Sequence, residues 1–259
     1  MNKKEKTANL EKFIELSASW LLKPEAEIQY NYLLSRVPEN KFKQFKFGYM
    51  PSSTEALTMF SDEYGCMTKS DPVKTLIDCN LIYLTDKYNK ITSALKYHQL
   101  LVPFYDMYGC PIAIAGRTLL SEDDRNEKNI SKYKNTPFEK RRHLYGLNCS
   151  YKNIIKKNYA VVVEGQFDFI SGFINGIDNI VALGGSKLSF EHIALLKRFT
   201  NNFYMLLDND EAGQHGFEKI NKSASKYDIK INKIILPDEF KDLDEFLKVN
   251  KIHDIRDLK

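Results

Sequence analysis

The feature that most constrains this chain is a regular alternation of short apolar, β-branched runs with helical stretches after about residue 153. Strands separated by helices of this length favour a mostly parallel sheet that is covered on both faces. The second part is therefore predicted to be an α/β unit. The predicted strands cover 159–163, 179–182, 203–207 and 230–236, and the predicted helices cover 168–175, 190–199, 211–222 and 242–249. Ser189 is the predicted N-cap of the second of these helices.

Acidic residues follow three of these predicted strands. Glu164 comes directly after the first strand, Asp208 and Asp210 follow the third, and Asp242 and Asp244 follow the fourth. In a parallel α/β sheet, ligands bind outside the carboxyl ends of the strands, so these carboxylates are expected to meet at one edge. Asp208 and Asp210 could alternatively form a turn and cap the next helix. Three strand ends with the same feature favour a shared site.

A cluster of carboxylates is best stabilised by divalent cations. Hard oxygen ligands prefer Mg²⁺ or Mn²⁺ to Zn²⁺, and Mg²⁺ is commonly bound by a few carboxylates together with substrate phosphates. The predicted chemistry is therefore phosphoryl or nucleotidyl transfer. The five histidines have no metal-ligand spacing and are predicted to be structural or surface residues.

The first part of the chain, residues 1–153, is predicted to be a separate mixed α/β subdomain, and residues 154–259 form the second. Residues 1–153 have helical periodicity over 8–35 and short β-like runs over 45–49, 81–84, 100–104 and 111–114. The net formal charge is +4, and the basic excess lies in this part. A focused basic patch attracts phosphate backbones, although a solvated charged loop is the alternative. Its densest stretch contains Lys128, Lys132, Lys134, Lys140, Arg141 and Arg142.

The composition argues against membrane and secreted classes. No apolar run approaches the ~20 residues that span a bilayer, and the charged N-terminus is not followed by a signal-peptide core. The four cysteines form no C-x-x-C pair, so neither a zinc site nor a disulfide framework is indicated. Reduced thiols in a cytoplasm are expected.

Two motifs resemble a known superfamily. Residues 164–168, Glu-Gly-Gln-Phe-Asp, and residues 207–213, Leu-Asp-Asn-Asp-Glu-Ala-Gly, resemble the TOPRIM signature of topoisomerases and primases. Residues 32–36, 45–51, 115–117, 131–138, 142–147 and 242–246 resemble, in order and spacing, motifs of the catalytic core of bacterial and phage DnaG-type DNA primases. The resemblance implies a basic, mixed α/β N-terminal subdomain followed by a Rossmann-like TOPRIM subdomain.

The resemblance also implies roles for individual residues. The catalytic, metal-binding acids would be Glu164, Asp208 and Asp210, with Asp168, Asp242 and Asp244 as supporting acids at the same edge. The residues that face template and nucleotide would be Arg117, Lys132, Tyr133 and Asn135, with Lys140 and Arg142 in the adjoining basic stretch. Glu164 could hold the metal or relay a proton. Tyr133 could stack on bases or be a hydrogen-bonded core residue.

The implied activity is synthesis of short RNA primers on single-stranded DNA from ribonucleoside triphosphates, with Mg²⁺ or Mn²⁺. The alternatives are a TOPRIM nuclease and a non-catalytic single-stranded-DNA-binding replisome protein.

No zinc-ribbon cysteines precede the core, and the chain ends soon after Phe246. A zinc-binding module or a replicative helicase is therefore expected as a partner in trans. The expected location is the cytoplasm, or the host cytoplasm if a phage encodes the chain.

Overall fold

The computed structural model describes residues 2–68, 71–85, 90–185, 188–206 and 229–258. The chain divides into two compact units. Unit 1 contains Met1–Phe104 and Cys110–Phe138, and unit 2 contains Tyr105–Gly109 and Glu139–Lys259. In the described part of the chain, no helix is both long and apolar enough to cross a membrane.

The described helices are α1 (Lys3–Trp20), α2 (Glu27–Leu34), α3 (Phe42–Phe45), α4 (Thr54–Thr68), α5 (Pro72–Asp78), α6 (Glu122–Glu127), α7 (Leu147–Lys157), α8 (Gln166–Ile174), α9 (Phe190–Leu196) and α10 (Leu243–Val249). The described strands are β1 (Gly48–Tyr49), β2 (Ile82–Thr85), β3 (Lys90–Ser93), β4 (Leu100–Tyr105), β5 (Pro111–Arg117), β6 (Tyr133–Asn135), β7 (Ala160–Val163), β8 (Ile180–Ala182), β9 (Asn202–Leu206) and β10 (Lys230–Lys233). Short 3-10 turns cover Pro24–Ala26, Glu39–Lys41, Lys140–Arg142 and Ile255–Asp257.

Unit 1 is built on a four-stranded sheet in the order β1-β4-β5-β6. The β1–β4 and β5–β6 pairs are antiparallel, and β2 and β3 form a separate antiparallel pair. Helices α1 and α4 pack together through aromatic side chains: the ring of Phe60 makes edge-to-face contacts with Phe13 and Trp20 at centroid distances of 5.6 and 5.3 Å. The helical periodicity of the N-terminal segment thus places Phe13 and Trp20 in the core of this unit.

Unit 2 contains the parallel sheet that the strand–helix alternation predicts. Its strands have the order β10-β9-β7-β8, and the three pairings are all parallel. All four residues of β7 are buried, as expected for a central strand with both faces covered. The predicted fold class, a mixed α/β subdomain followed by a parallel-sheet subdomain, is confirmed.

The two faces of this sheet pack against different helices. Ala160 and Val162 belong to one apolar cluster with Leu147 and Ile154 of α7 and with Leu196 of α9. Because side chains alternate along a strand, the next residues, including the buried Val161, lie on the opposite face. On that side α8 contacts both β8 and α10.

Some local predictions differ from the structure. The β-like run over 45–49 forms only the two-residue strand β1, because Phe45 ends α3 and Lys46 adopts a left-handed conformation. Helix α5 was not predicted from its β-branched sequence. Its Asp71 N-cap accepts from the Lys74 N–H, and Pro72 begins the helix.

The compact units divide before Glu139, whereas the sequence division falls at 153/154. The difference arises because the stretch after Phe138 contacts the parallel sheet: the Tyr145 N–H donates to the Ala182 carbonyl. The division into a template-binding and a catalytic subdomain is a functional one and stays a prediction.

We predict that Trp20→Ala destabilises unit 1 by about 3–5 kcal/mol, because the buried ring loses its contact with Phe60 and its Nε1–H bond to the Glu63 carboxylate. Urea unfolding monitored by circular dichroism measures the change. Leu22→Ala is the matched control, since Leu22 is 72% exposed and its truncation is expected to change stability by less than about 0.5 kcal/mol. Equal effects of the two changes would contradict this packing.

Candidate active site and nucleic-acid interface

Glu164 lies at the carboxyl edge of the parallel sheet, where two neighbouring strands end together. Val163 and Leu206, the last residues of β7 and β9, are partners in the parallel register. Glu164 follows Val163 directly and is half-buried. Asp208 and Asp210, which follow β9 in the sequence, lie outside the described residues. The structure therefore places one of the three predicted catalytic acids.

Asp168 connects two segments of this edge. It is 8% exposed, and its Oδ2 accepts from the Gly165 N–H at 3.1 Å. Its Oδ1 accepts from the Asp244 N–H at 3.2 Å, which joins the start of α8 to the start of α10. Two backbone donors offset the cost of burying the carboxylate. Asp168 therefore fixes the loop that follows Glu164.

The other two supporting acids lie at the N-terminus of α10. Asp242 caps this helix, and its Oδ1 accepts from the Glu245 N–H at 2.8 Å. Asp244 is 2% exposed, and its Oδ2 lies 3.4 Å from Nζ of Lys248. Through the bond to Asp168, the structure brings Asp244 to the same edge as Glu164's loop. Asp242 has the capping role that a carboxylate commonly has before a helix.

Glycines permit the close approach of backbone around Glu164. A Cβ atom at residue 165 would lie 2.7 Å from Oδ2 of Asp168, so glycine is required while that carboxylate accepts the Gly165 N–H. After β8, Gly184 and Gly185 both have positive φ, and the Gly185 N–H donates to the Glu164 carbonyl at 3.4 Å. The backbone of Glu164 is thus held from both sides.

The donor chemistry of this edge suits a hard divalent cation. Within the described ranges, no three His, Cys, Asp or Glu side chains are grouped so that they could hold a metal ion. Two of the three predicted ligands lie outside those ranges. Glu164 supplies carboxylate oxygens at the edge, and the predicted set contains neither His nor Cys, a composition that fits Mg²⁺ or Mn²⁺ better than Zn²⁺.

In unit 1, Arg117 and Tyr133 form a compact pair. They are direct partners in the β5–β6 register, and Nη1 of Arg117 donates to the Tyr133 hydroxyl. The guanidinium carbon of Arg117 also lies 5.1 Å from the ring centroids of Tyr133 and Tyr32. Arg117 is 8% exposed, so this cation is held among aromatic groups rather than in bulk water.

Asn135 shares a face of β6 with Tyr133, because the two residues are separated by one position. Its buried Oδ1 atom has no hydrogen-bond partner in the described part of the protein. Lys132 is exposed just before the strand, and its carbonyl accepts from the Thr118 N–H. The structure thus brings together Arg117, Tyr133 and Asn135, with Lys132 adjoining them in sequence.

Lys140 and Arg142 belong to unit 2, in the 3-10 turn Lys140–Arg142. His192 anchors this turn to α9. Its Nδ1 accepts from the Ser189 N–H at 3.2 Å, so Nε2 carries the proton and donates to the Lys140 carbonyl at 3.1 Å. Burial lowers the pKa of His192, while the carbonyl bonds act in the opposite direction. Burial also lowers the pKa of Lys140.

The sequence analysis does not identify three residues that support the candidate sites, Tyr32, Arg36 and His192. Tyr32 was assigned no role, although its ring lies on Arg117. Arg36, two residues beyond the end of α2, lies 5.4 Å from the centroid of the same ring. No local sequence pattern predicts that His192 anchors the Lys140–Arg142 turn. The prediction of Ser189 as the N-cap of α9 is confirmed.

Comparison with known proteins identifies both parts of the chain. Residues 18–151 match the model of the DNA primase catalytic core, N-terminal domain, and residues 161–247 match a Toprim-like model. The chain therefore belongs to the family of DnaG-type DNA primase catalytic cores. The DNA primase of Synechococcus elongatus is 29% identical over 246 residues, which cover 92% of this chain and 34% of the relative. The chain spans about a third of the length of such curated relatives.

Solved structures have the same fold. The Aquifex aeolicus primase, in a structure of its zinc-binding and RNA polymerase domains, is 26% identical with a TM-score of 0.81, covering 100% of this chain and 61% of that one. A DnaG primase catalytic domain bound to single-stranded DNA is 24% identical with a TM-score of 0.78, covering 96% of this chain and 78% of that one. The architecture described above is that of a primase core.

We predict that Asp168→Asn lowers the free energy of unfolding by about 1–3 kcal/mol, because one acceptor oxygen becomes an amide that faces a backbone N–H. Urea unfolding in metal-free buffer measures this change. Asp238→Asn, at an exposed position of the same unit, is the control and is expected to change stability by less than about 0.5 kcal/mol. An unchanged stability for Asp168→Asn would show that the two N–H bonds are not formed.

A second prediction concerns acid stability. Because the pKa of His192 is lowered in the folded state, the unfolded chain binds the proton more readily and the folded state favours the neutral ring. Its contribution is complete above the ordinary histidine pKa of 6.5 and is lost as the pH falls below that value. The stability advantage of the wild type over His192→Gln should therefore shrink between about pH 7 and pH 5. A constant difference across this range would contradict the neutral Nε2–H form.

Proposed function

We propose that this chain is the nucleotidyl-transferring core of a DNA primase, which synthesises short RNA primers on single-stranded DNA from ribonucleoside triphosphates. The observation that carries the proposal is the position of Glu164. It is a half-buried carboxylate at the sheet edge where β7 and β9 end in register, in the segment that matches the Toprim-like model. The stretch that matches the primase N-terminal model supplies the basic and aromatic residues of the template side.

In this proposal, Glu164, Asp208 and Asp210 would hold Mg²⁺ or Mn²⁺ at that edge. When bound, the metal would supply positive charge for the attacking 3′-hydroxyl of the growing primer, for the α-phosphate and for the pyrophosphate that leaves it. Asp168 keeps the Glu164 loop in place through the Gly165 N–H, and the Gly185 N–H holds the Glu164 carbonyl. Besides binding the cation, Glu164 would accept the proton that leaves the 3′-hydroxyl.

The template side of the proposal rests on Arg117, Tyr133 and Asn135. The guanidinium of Arg117 is a donor for phosphate oxygens, and aromatic rings such as Tyr133 stack on bases of any sequence. Asn135 lies on the same face of β6 as Tyr133, and its amide would bind a base or sugar group beside that ring. Lys132, Lys140 and Arg142 would add non-specific attraction to the phosphate backbone. The solved structure of a similar DnaG primase catalytic domain bound to single-stranded DNA supports this assignment.

The partners and location follow from the same assignment. A replicative helicase and a zinc-binding module would act together with this core, either as other segments or as other proteins, and the reaction would take place in the cytoplasm. The relatives are about three times longer than the stretch they share with this chain, so the complete activity includes what their remaining segments provide.

The proposal predicts that Glu164→Gln abolishes primer synthesis while leaving the fold intact, because the amide removes the negative charge and the proton acceptor but keeps the shape. Primer synthesis is measured as labelled RNA made from labelled ribonucleotides on mixed-sequence single-stranded DNA with Mg²⁺ or Mn²⁺. Asp208→Ala and Asp210→Ala should be equally inactive. Glu239→Gln, at an exposed position of unit 2, is the matched control and should retain wild-type synthesis.

The products distinguish this function from its alternatives. Short template-dependent RNA that is lost in Glu164→Gln supports the primase assignment. Degradation of the DNA, lost in the same variant, would assign a nuclease instead. DNA binding without either product, after a helicase and a zinc module have been added, would assign a binding protein. Full synthesis by Glu164→Gln would contradict the proposed site.

A further inference from the structure

The side chain of Arg117 lies against two aromatic rings that come from different parts of unit 1. Its guanidinium carbon is 5.1 Å from the ring centroid of Tyr32 and 5.1 Å from that of Tyr133. We call these three residues the Arg117 clamp. Arg36 also contacts the ring of Tyr32, at 5.4 Å from its guanidinium carbon to the centroid. A cation over the face of a tyrosine is attracted by the negative potential of the ring.

The clamp joins a helix to a sheet. Tyr133 is opposite Arg117 in the antiparallel β5–β6 pair, so these two side chains occupy the same face of the sheet. Tyr32 comes from α2, which is far away in the sequence. A ring from the helix, a ring from the strand and the bond from Arg117 Nη1 to the Tyr133 hydroxyl together restrict the rotamers of a long, flexible side chain.

Such restriction matters when the guanidinium must bind an anion. Arginine binds phosphate oxygens through a planar set of donors, and ordering its side chain costs conformational entropy at the moment of binding. Where the rings have already ordered the side chain, that cost is smaller. Because Arg117 is only 8% exposed, water screens the cation–π attraction between its guanidinium and the two rings only weakly.

We propose that Tyr32 is a positioning residue for DNA binding, whose ring holds the guanidinium of Arg117 in place for the phosphate backbone of single-stranded DNA. This inference rests on the proposed function, since it requires that Arg117 contacts DNA. It goes further in assigning a role to α2, which supplies the aromatic face and no charge of its own at this position. Tyr32 acts through Arg117, so its effect must vanish when Arg117 is absent.

The experiment is a double-mutant cycle on DNA affinity. Binding of a fluorescein-labelled, mixed-sequence single-stranded oligonucleotide is measured by anisotropy for the wild type, Tyr32→Leu, Arg117→Ala and the double variant. Tyr32→Leu is expected to raise Kd by about three- to tenfold. Arg117→Ala is expected to raise Kd by about tenfold or more, because a charged hydrogen bond to phosphate is lost. In the Arg117→Ala background, Tyr32→Leu should have no further effect.

Two further variants separate positioning from packing. Tyr32→Phe keeps the aromatic face and should retain wild-type affinity. Tyr30→Leu is the matched control on the same helix, because Tyr30 is also half-buried but contacts Phe42 and Glu39 rather than Arg117. It should leave Kd unchanged. If Tyr32→Leu does not fold, as judged by thermal melting, Tyr32→Met replaces it, since methionine fills similar space without an aromatic ring.

The outcomes separate this inference from the proposed function. Equal losses from Tyr32→Leu with and without Arg117 would overturn the positioning role. So would an unchanged Kd for Tyr32→Leu while Arg117→Ala weakens binding, and in that case the proposed DNA contact would stand. An unchanged Kd for Arg117→Ala would overturn the inference together with the placement of DNA at Arg117, without affecting the acidic site at Glu164.

Discussion

The carboxylate of Asp168 holds together the two segments that carry the described acids of the candidate site, Glu164, Asp242 and Asp244. One oxygen accepts from the N–H of Gly165, beside Glu164, and the other accepts from the N–H of Asp244 at the start of α10. A buried carboxylate is costly unless its charge is met by donors, and these two bonds offset part of that cost. The conformation of the Glu164 loop, and with it the proposed chemistry, depends on this side chain together with the Gly185 N–H that donates to the Glu164 carbonyl.

Much of this arrangement could be predicted from sequence because it follows from periodicity and local chemistry. The apolar runs predict the strands β7, β8 and β9, and their alternation with helices predicts a parallel sheet. Because parallel strands end at the same side, the residues that follow them lie at one edge. Ser189 was recognised as an N-cap because its hydroxyl chemistry is local. Glu164 could be identified for the same reason, since its position directly after a buried strand is a property of a few neighbouring residues.

Contacts between distant segments could not be predicted in this way. No local pattern shows that Asp168 accepts from the N–H of Asp244, or that Tyr32 of α2 lies on Arg117 of β5. The charge pattern also treats residues 128–142 as one basic stretch, whereas Lys132 and Lys140 belong to different compact units. The predicted helix over 211–222 and the acids Asp208 and Asp210 lie outside the described residues, so these remain predictions from the motif.

The central claim is that the end of β7 and the segment after β9 form one metal site. The most direct measurement is a crystal structure with Mn²⁺, in which anomalous scattering locates the cation independently of activity. The account predicts a peak at about 2.0–2.2 Å from an oxygen of Glu164, with Asp208 or Asp210 completing the ligand set. A well-ordered peak that excludes Glu164, or no peak at this edge under saturating Mn²⁺, would contradict it.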